Sequence, residues 1–202
     1  FYYITTMNEN YAHPGLTRGQ EKNIVKGMYL LQKGKKGKVR VQLLGSGAIL
    51  RESIAAAELL SADFKVQTDI WSCPSFNELK RDGDEVFRWN LLHPDKKPRK
   101  CHVTQFLENT EGPVVAATDY VKLFADQIRA YVPKSYTVLG TDGYGRSDSR
   151  EALRKHFEVD RYYIALAALN ALYAEGSISA KTVKSAIKKY GIDPEKTNPL
   201  FS

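Results

Sequence analysis

The feature that most constrains the fold is an alternation of short apolar runs with longer stretches of helical periodicity. Apolar runs typical of buried strands lie at 39–44, 66–71, 113–118 and 136–139. Helices are predicted at 49–64, 77–89, 119–131, 151–157, 161–174 and 180–190. Because strands that alternate with helices form right-handed crossovers, the sequence predicts an α/β fold: a mostly parallel sheet flanked by helices, with a helical C-terminal extension.

The N-terminal part of the chain departs from this pattern. Residues 1–6 resemble a strand, Pro14-Gly15 signals a turn, and 17–31 is predicted to be a weakly amphipathic helix. Residues beyond His93 are rich in proline and lysine and predict an irregular segment. Because the chain opens inside a strand-like run, we expect it to be part of a longer protein.

Composition favours a globular cytoplasmic protein. The 202 residues suffice for one core, no stretch is long and apolar enough to span a bilayer, and the two cysteines form neither a CxxC nor a histidine-rich pattern. The net charge of +7 leaves open a nucleic-acid-binding module. The densest basic run, 33–40, is interrupted by glycines and leads into a strand, which favours a solvated loop.

The most distinctive loop is 140–151, between the last predicted strand and a helix. Its glycines permit a sharp turn, and the spacing of Asp148 and Glu151 is that of a capping box, so Asp148 is predicted to cap the helix. We expect Asp142 and Arg146 to organise the turn and Tyr144 to pack against a neighbouring element. This loop is one candidate site for a small anionic regulator, and the turn Gly45-Ser46-Gly47 is another.

Residue patterns supply no self-sufficient catalytic site. The four histidines, His13, His93, His102 and His156, form neither an HExxH motif nor a ligand pair. His156 falls near the end of a predicted helix, where a cation interacts favourably with the dipole. No serine stands in the Gly-x-Ser-x-Gly pattern of serine hydrolases.

Several long segments resemble the C-terminal part of the homodimeric bacterial pyruvate dehydrogenases. They are 140–151, 156–160, 1–11, 43–47 and 118–125, and the similarity runs from Phe1 to Pro199. The shorter transketolase motif Asp-x-Phe-Gly-x-Ser corresponds to Asp142, Tyr144, Gly145 and Ser147, with tyrosine in place of phenylalanine. The resemblance therefore implies a transketolase-like C-terminal domain at 39–202, preceded at 1–38 by the end of a pyrimidine-binding domain and a linker.

The resemblance also implies a function for the longer protein. It would decarboxylate pyruvate on thiamine diphosphate and Mg²⁺, and transfer the acetyl group to the lipoyl arm of dihydrolipoyl acetyltransferase. The Gly-Asp-Gly cofactor motif is absent here, so we expect neither cofactor to bind this chain. A structural role in a homodimer is expected instead. By position in the family, Asn8, Glu9, Asn10 and His13 would lie near the mouth of the active site.

Overall fold

The computed structural model describes residues 10–12, 14–16 and 18–202. The strands are β1 (Tyr29–Gln32), β2 (Arg40–Gly45), β3 (Gln67–Ser72), β4 (Val114–Ala117) and β5 (Tyr136–Leu139). The α-helices are α1 (Glu21–Val25), α2 (Ile49–Phe64), α3 (Phe76–Leu92), α4 (His102–Leu107), α5 (Lys122–Asp126), α6 (Arg150–His156), α7 (Arg161–Ala174) and α8 (Ala180–Lys189). Short 3₁₀ helices lie at Arg129–Tyr131 and Pro199–Phe201.

The strands form a single mixed sheet in the order β1-β3-β2-β4-β5. β2, β3, β4 and β5 are parallel, with Leu43 opposite Ile70 on one side and Val115 on the other. β1 pairs antiparallel with β3 and closes one edge of the sheet. The predicted α/β fold with a mostly parallel sheet is confirmed.

Helices cover both faces of the sheet, and the side chains of consecutive strand residues pack alternately on one face and on the other. Leu43 packs in the core beneath α2, α7 and α8, whereas its neighbour Leu44 packs beneath α3, α4 and α5. Both side chains are fully buried. This alternation follows from the two-residue period of a strand and explains why the central strands are apolar throughout.

Two predicted helices are shorter than expected. The helix predicted over 17–31 is limited to α1, because Gly27 adopts a φ of +95° and the chain then enters β1. The helix predicted over 119–131 is divided into α5 and a 3₁₀ turn. It begins only at Lys122, because the carbonyl of Tyr120 accepts a hydrogen bond from the backbone N–H of Thr141 and Val121 is extended.

Other differences concern segments without strong periodicity. The region predicted to be irregular after His93 contains α4. The strand predicted at 1–6 lies outside the described residues. The boundary between 38 and 39 remains a prediction, and β1, on its N-terminal side, is hydrogen-bonded into the same sheet as the later strands.

Candidate functional site

The carboxyl ends of β2 and β4 meet at the centre of the sheet, where the strand order reverses direction. The chain leaves β2 toward β3 on one side and leaves β4 toward β5 on the other. In open α/β sheets, ligands bind in the crevice at such a topological switch point. Gly45-Ser46-Gly47, a candidate anion-binding turn, borders this crevice after β2, and Asp119 borders it after β4.

The carboxylate of Asp119 closely approaches Gly47 in the turn after β2, so a side chain at position 47 would displace it. Gly47 has a φ of +56°, and a Cβ at this position would lie 2.8 Å from Oδ1 of Asp119. That oxygen is inaccessible to solvent and accepts no hydrogen bond from the described residues. Burial raises the pKa of Asp119, while the nearby backbone N–H groups of Asp119 and Ala48 and the charge of Arg154 act in the opposite direction.

The loop that follows β5 is fastened to the segment after β4. The hydroxyl of Thr141 donates to the carbonyl of Asp119 at 2.9 Å, and Oδ1 of Asp142 accepts from the backbone N–H of Lys122 at 2.8 Å. Gly143 has a φ of +107°, and a Cβ there would lie 2.6 Å from the carbonyl oxygen of Pro199. The loop thus lies between the start of α5 and the C-terminal 3₁₀ helix.

The structure corrects three expectations about this loop. Ser149, not Asp148, is the N-cap of α6, since its hydroxyl accepts from the backbone N–H of Ala152 at 3.2 Å. Asp148 instead accepts from the N–H of Ser149 at 2.6 Å. Tyr144 is 84% exposed rather than packed.

The third correction concerns Arg146, which was expected to organise the turn. It is exposed and forms no hydrogen bond or ion pair with another described residue. Gly145 and Ser147 are likewise exposed. The carboxylate of Asp142 and the hydroxyl of Thr141 therefore hold the loop in place.

A cleft of about 300 Å³ lies between α6 and the crevice at the sheet centre. Its polar wall carries Arg146, Arg150 and Arg154, and Asp119 is the single carboxylate that lines it among the described residues. Its apolar wall is formed by side chains from α2, from α6 and from the turn after α6: Ile49, Leu153, Phe157 and Val159. The cleft is therefore amphipathic, with an excess of positive charge.

Beside this cleft, a buried carboxylate that sequence reasoning missed ties three helices together. Glu52 of α2 accepts two side-chain hydrogen bonds and one backbone hydrogen bond from Arg161, each at 3.0 Å, and a further bond from Arg154 at 3.3 Å. Burial alone would raise the pKa of Glu52, but hydrogen bonding and charge from Arg161, assisted by Arg154, hold it below its ordinary value. The sequence signal for this buried ion pair was Glu52 itself, a charged residue among the apolar residues of the predicted helix at 49–64.

A second missed network joins the interior strands β2 and β3 and involves the basic run. Asp69 is fully buried and accepts from Arg40 at 2.7 Å, from Gln42 at 3.1 Å and from Lys33 at 3.4 Å. The backbone N–H of Gly34 also donates to it at 2.8 Å. Two cations of the run 33–40 are thus bound to a carboxylate rather than to solvent alone.

The histidines are not brought together. His102 is buried, its Nε2 lies 2.9 Å from the carbonyl oxygen of Met28, and burial lowers its pKa. His93 stacks on Trp89. His156 ends α6, in a last turn rich in basic residues, and its buried Nε2 has no hydrogen-bond partner among the described residues.

The predicted active-site mouth is mostly outside the described residues. Asn8, Glu9 and His13 lie in that part, and Asn10 is exposed. Within the described ranges, no group of three or more His, Cys, Asp or Glu side chains could hold a metal ion.

An exposed apolar surface, which we term the apolar edge, surrounds the loop at the carboxyl end of the sheet. Leu123 is 72% exposed and Phe201 is 78% exposed, and Tyr120 stacks on Phe124 with ring centroids 5.0 Å apart. The apolar edge comprises Tyr120, Val121, Leu123, Phe124, Tyr144, Leu200 and Phe201. Despite this exposed apolar surface, no helix among the residues that the structure describes is long and apolar enough to cross a membrane.

Comparison with known proteins places this arrangement in a family. Residues 27–160 match the transketolase-like TK C-terminal domain. The chain is 58% identical over 202 residues to the pyruvate dehydrogenase E1 component of Cupriavidus necator and 60% identical over 202 residues to that of Pseudomonas aeruginosa. These alignments cover 99% of the chain but only 23% of each relative, so the chain spans about a quarter of their length.

Solved structures support the fold independently. A transketolase from Pichia stipitis, in complex with sedoheptulose 7-phosphate, superposes with a TM-score of 0.51 at 17% identity, covering 79% of this chain and 21% of that one. The predicted resemblance to the pyruvate dehydrogenases is confirmed by the identities above. The chain belongs to the transketolase-like C-terminal domain family.

Proposed function

We propose that the chain is the structural and dimer-forming domain of a cytoplasmic, homodimeric pyruvate dehydrogenase E1 component. The observation that carries this role is the apolar edge, since soluble monomers seldom expose a large contiguous apolar patch. The high identity to pyruvate dehydrogenase E1 components supports the assignment to that enzyme.

The enzyme, in this proposal, decarboxylates pyruvate on thiamine diphosphate held with Mg²⁺ by other domains. It then transfers the acetyl group to the lipoyl group of dihydrolipoyl acetyltransferase. The chain itself supplies no reacting group. Residues 1–38 would form the end of the pyrimidine-binding domain and a linker, with Asn8, Glu9, Asn10 and His13 near the mouth of the active site.

The apolar edge suits a partner chain because three separate segments present it on one side of the molecule. The segment after β4 is fastened to the loop after β5, and that loop contacts the C-terminal 3₁₀ helix through Gly143. Covering Leu123 and Phe201, which are largely exposed, would remove apolar area from water at about 25 cal/mol per Å². In a homodimer, the same patch on both chains would form an isologous contact.

Sedimentation velocity over a wide concentration range tests this proposal. The chain is expected to self-associate, and Leu123→Glu is expected to weaken the association at least about tenfold, because it places a charge in the contact. Phe87→Glu is the matched control, since Phe87 is an exposed apolar residue on α3 that is not one of the residues of the apolar edge. A chain that stays monomeric at high concentration, or a Phe87→Glu effect equal to that of Leu123→Glu, would contradict the proposed role.

A further inference from the structure

We propose that the cleft between α6 and the carboxyl ends of β2 and β4 binds a small organic anion that has an apolar body. This binding site adjoins the apolar edge at Tyr144, since Gly143 and Gly145 line the cleft, but it is a different surface with a different ligand. The inference rests on the charge of the cleft, on its apolar wall and on its place at the topological switch point.

The charge of the cleft favours an anion. Of the three arginines that line it, Arg154 is bound to Glu52 through Nη1 at 3.3 Å. Arg146, by contrast, is exposed at the mouth and has no hydrogen bond or ion pair with another described residue, so binding a carboxylate would break no contact within the chain. A guanidinium can hold a carboxylate through two parallel hydrogen bonds.

The opposite wall determines the rest of the ligand. Ile49 and Leu153 face the same cavity as the arginines, and Phe157 adds an aromatic ring. A cavity of about 300 Å³ lies at the lower end of the range for ligand pockets, which restricts the ligand to a small molecule. An inorganic ion would leave this wall without a partner, whereas a carboxylate on a short apolar or aromatic body would contact both walls.

Asp119 makes the binding sensitive to pH. Its carboxylate is the one acidic group on the cleft wall among the described residues, and it faces Arg154 from α6 and the backbone N–H of Ala48, the residue before α2. Glu52, the next acidic group on α2, is already bound by Arg161 and Arg154. An ionised Asp119 repels an anionic ligand, so the complex favours its protonated form. Burial already raises the pKa of Asp119, which lowers the cost of that protonation.

The experiment uses the 202-residue chain and benzoate as the probe, followed by ¹H–¹⁵N NMR titration. Benzoate has a carboxylate and an apolar ring, acetate lacks the ring, and benzyl alcohol lacks the charge. Saturable shifts at the cleft are expected for benzoate, with at least about tenfold weaker binding for acetate and for benzyl alcohol. Between about pH 8 and pH 5, where benzoate stays ionised, its affinity is expected to rise as the pH falls.

Three variants separate the parts of the inference. Arg146→Ala is expected to weaken benzoate binding about tenfold, because it removes the charge-assisted hydrogen bonds. Arg88→Ala, an exposed arginine on α3, is the matched control and is expected to leave binding unchanged. Asp119→Asn is expected to bind more tightly at pH 8 and to lose the pH dependence.

Unaltered benzoate affinity in Arg146→Ala would overturn the proposal, and so would equal binding of benzyl alcohol or the absence of saturable shifts. Since Arg146 is exposed, its loss should not unfold the chain, and the melting temperature of each variant checks this. Because Arg146 lies two residues from Tyr144 of the apolar edge, sedimentation of each variant distinguishes a loss of benzoate binding from a change in self-association.

Discussion

Glu52 on α2 and Arg161 at the start of α7 form a bidentate ion pair across 109 residues of sequence, with Oε2–Nε and Oε1–Nη2 distances of 3.0 Å. The backbone N–H of Arg161 donates to the same carboxylate. This pair fixes the α6–α7 turn against α2, and it thereby sets one wall of the cleft beside Asp119. The Glu52 side chain is only 4% exposed, so loss of its charge would remove a buried carboxylate that Arg154 and Arg161 share.

Glu52→Gln is expected to lower the free energy of unfolding by about 3 kcal/mol at pH 7, the lower end for breaking a buried pair, because Arg161 is 45% exposed. Glu58→Gln, on an exposed position of the same helix, is the control and is expected to change it by less than about 0.5 kcal/mol. Urea unfolding measures both. Equal effects of the two substitutions would contradict the role of the pair.

The same pair predicts a pH dependence. The folded-state pKa of Glu52 is lowered, so its stabilising contribution is complete above the unfolded value of about 4.3 and is lost as the pH falls through the folded value. The stability difference between the wild type and Glu52→Gln should therefore shrink below about pH 4. Urea titrations at a series of pH values would show this, and a constant difference down to pH 2 would refute it.

The N-cap of α6 provides a second test, because the sequence and the structure assign it differently. Ser149→Ala is expected to cost about 0.5–2 kcal/mol of stability, since it removes the acceptor for the N–H of Ala152. Asp148→Ala is expected to cost less, because its carboxylate contacts only the adjacent N–H among the described residues. Thermal unfolding of the two variants compares them directly. A larger loss of stability in Asp148→Ala than in Ser149→Ala would contradict this assignment and support the capping box predicted from the sequence.

Tyr144 yields a prediction opposite to the sequence-based one. A buried ring would cost several kcal/mol on truncation, whereas a side chain that is 84% exposed should cost less than about 0.5 kcal/mol. Tyr144→Ala should therefore leave chemical denaturation unchanged while weakening self-association through the apolar edge. Tyr136→Ala, which truncates a buried ring, is the matched control for denaturation. If Tyr144→Ala unfolds the chain as readily as that control, the loop packs differently from this description.

The sequence predicted the helices and strands whose apolar residues recur at a regular spacing. It missed those that depend on hydrogen bonds to residues far away in the chain. α2 and α7 were predicted with the bounds that the structure shows, because apolar residues mark their buried faces over several turns. β1 was missed, since its four residues gain their structure by pairing with β3 rather than from a pattern of their own. The late start of α5, at Lys122 rather than at residue 119, follows from hydrogen bonds to a loop some 20 residues away, with no local signal.

The candidate site shows the same division. Gly45-Ser46-Gly47 and the loop at 140–151 were recognisable from their glycines, since a turn leaving a strand requires special backbone conformations. Asp119 was not recognisable, because its burial and its approach to Gly47 depend on the adjacency of β2 and β4. The partners of Glu52 and Asp69 likewise lie on elements distant in sequence.

The last prediction concerns the thiamine diphosphate that the proposed function assigns to other domains. The chain lacks the Gly-Asp-Gly motif, and in the described residues no cluster of acidic, histidine or cysteine side chains could hold a metal ion. A diphosphate needs such an ion or a glycine-rich cradle to offset its charge. Calorimetric titration with thiamine diphosphate and Mg²⁺ is therefore expected to show no saturable binding in the micromolar range. The full-length pyruvate dehydrogenase E1 component of Pseudomonas aeruginosa is the comparison. Micromolar binding to the 202-residue chain would show that it holds a cofactor site of its own, and its role would then extend beyond structure.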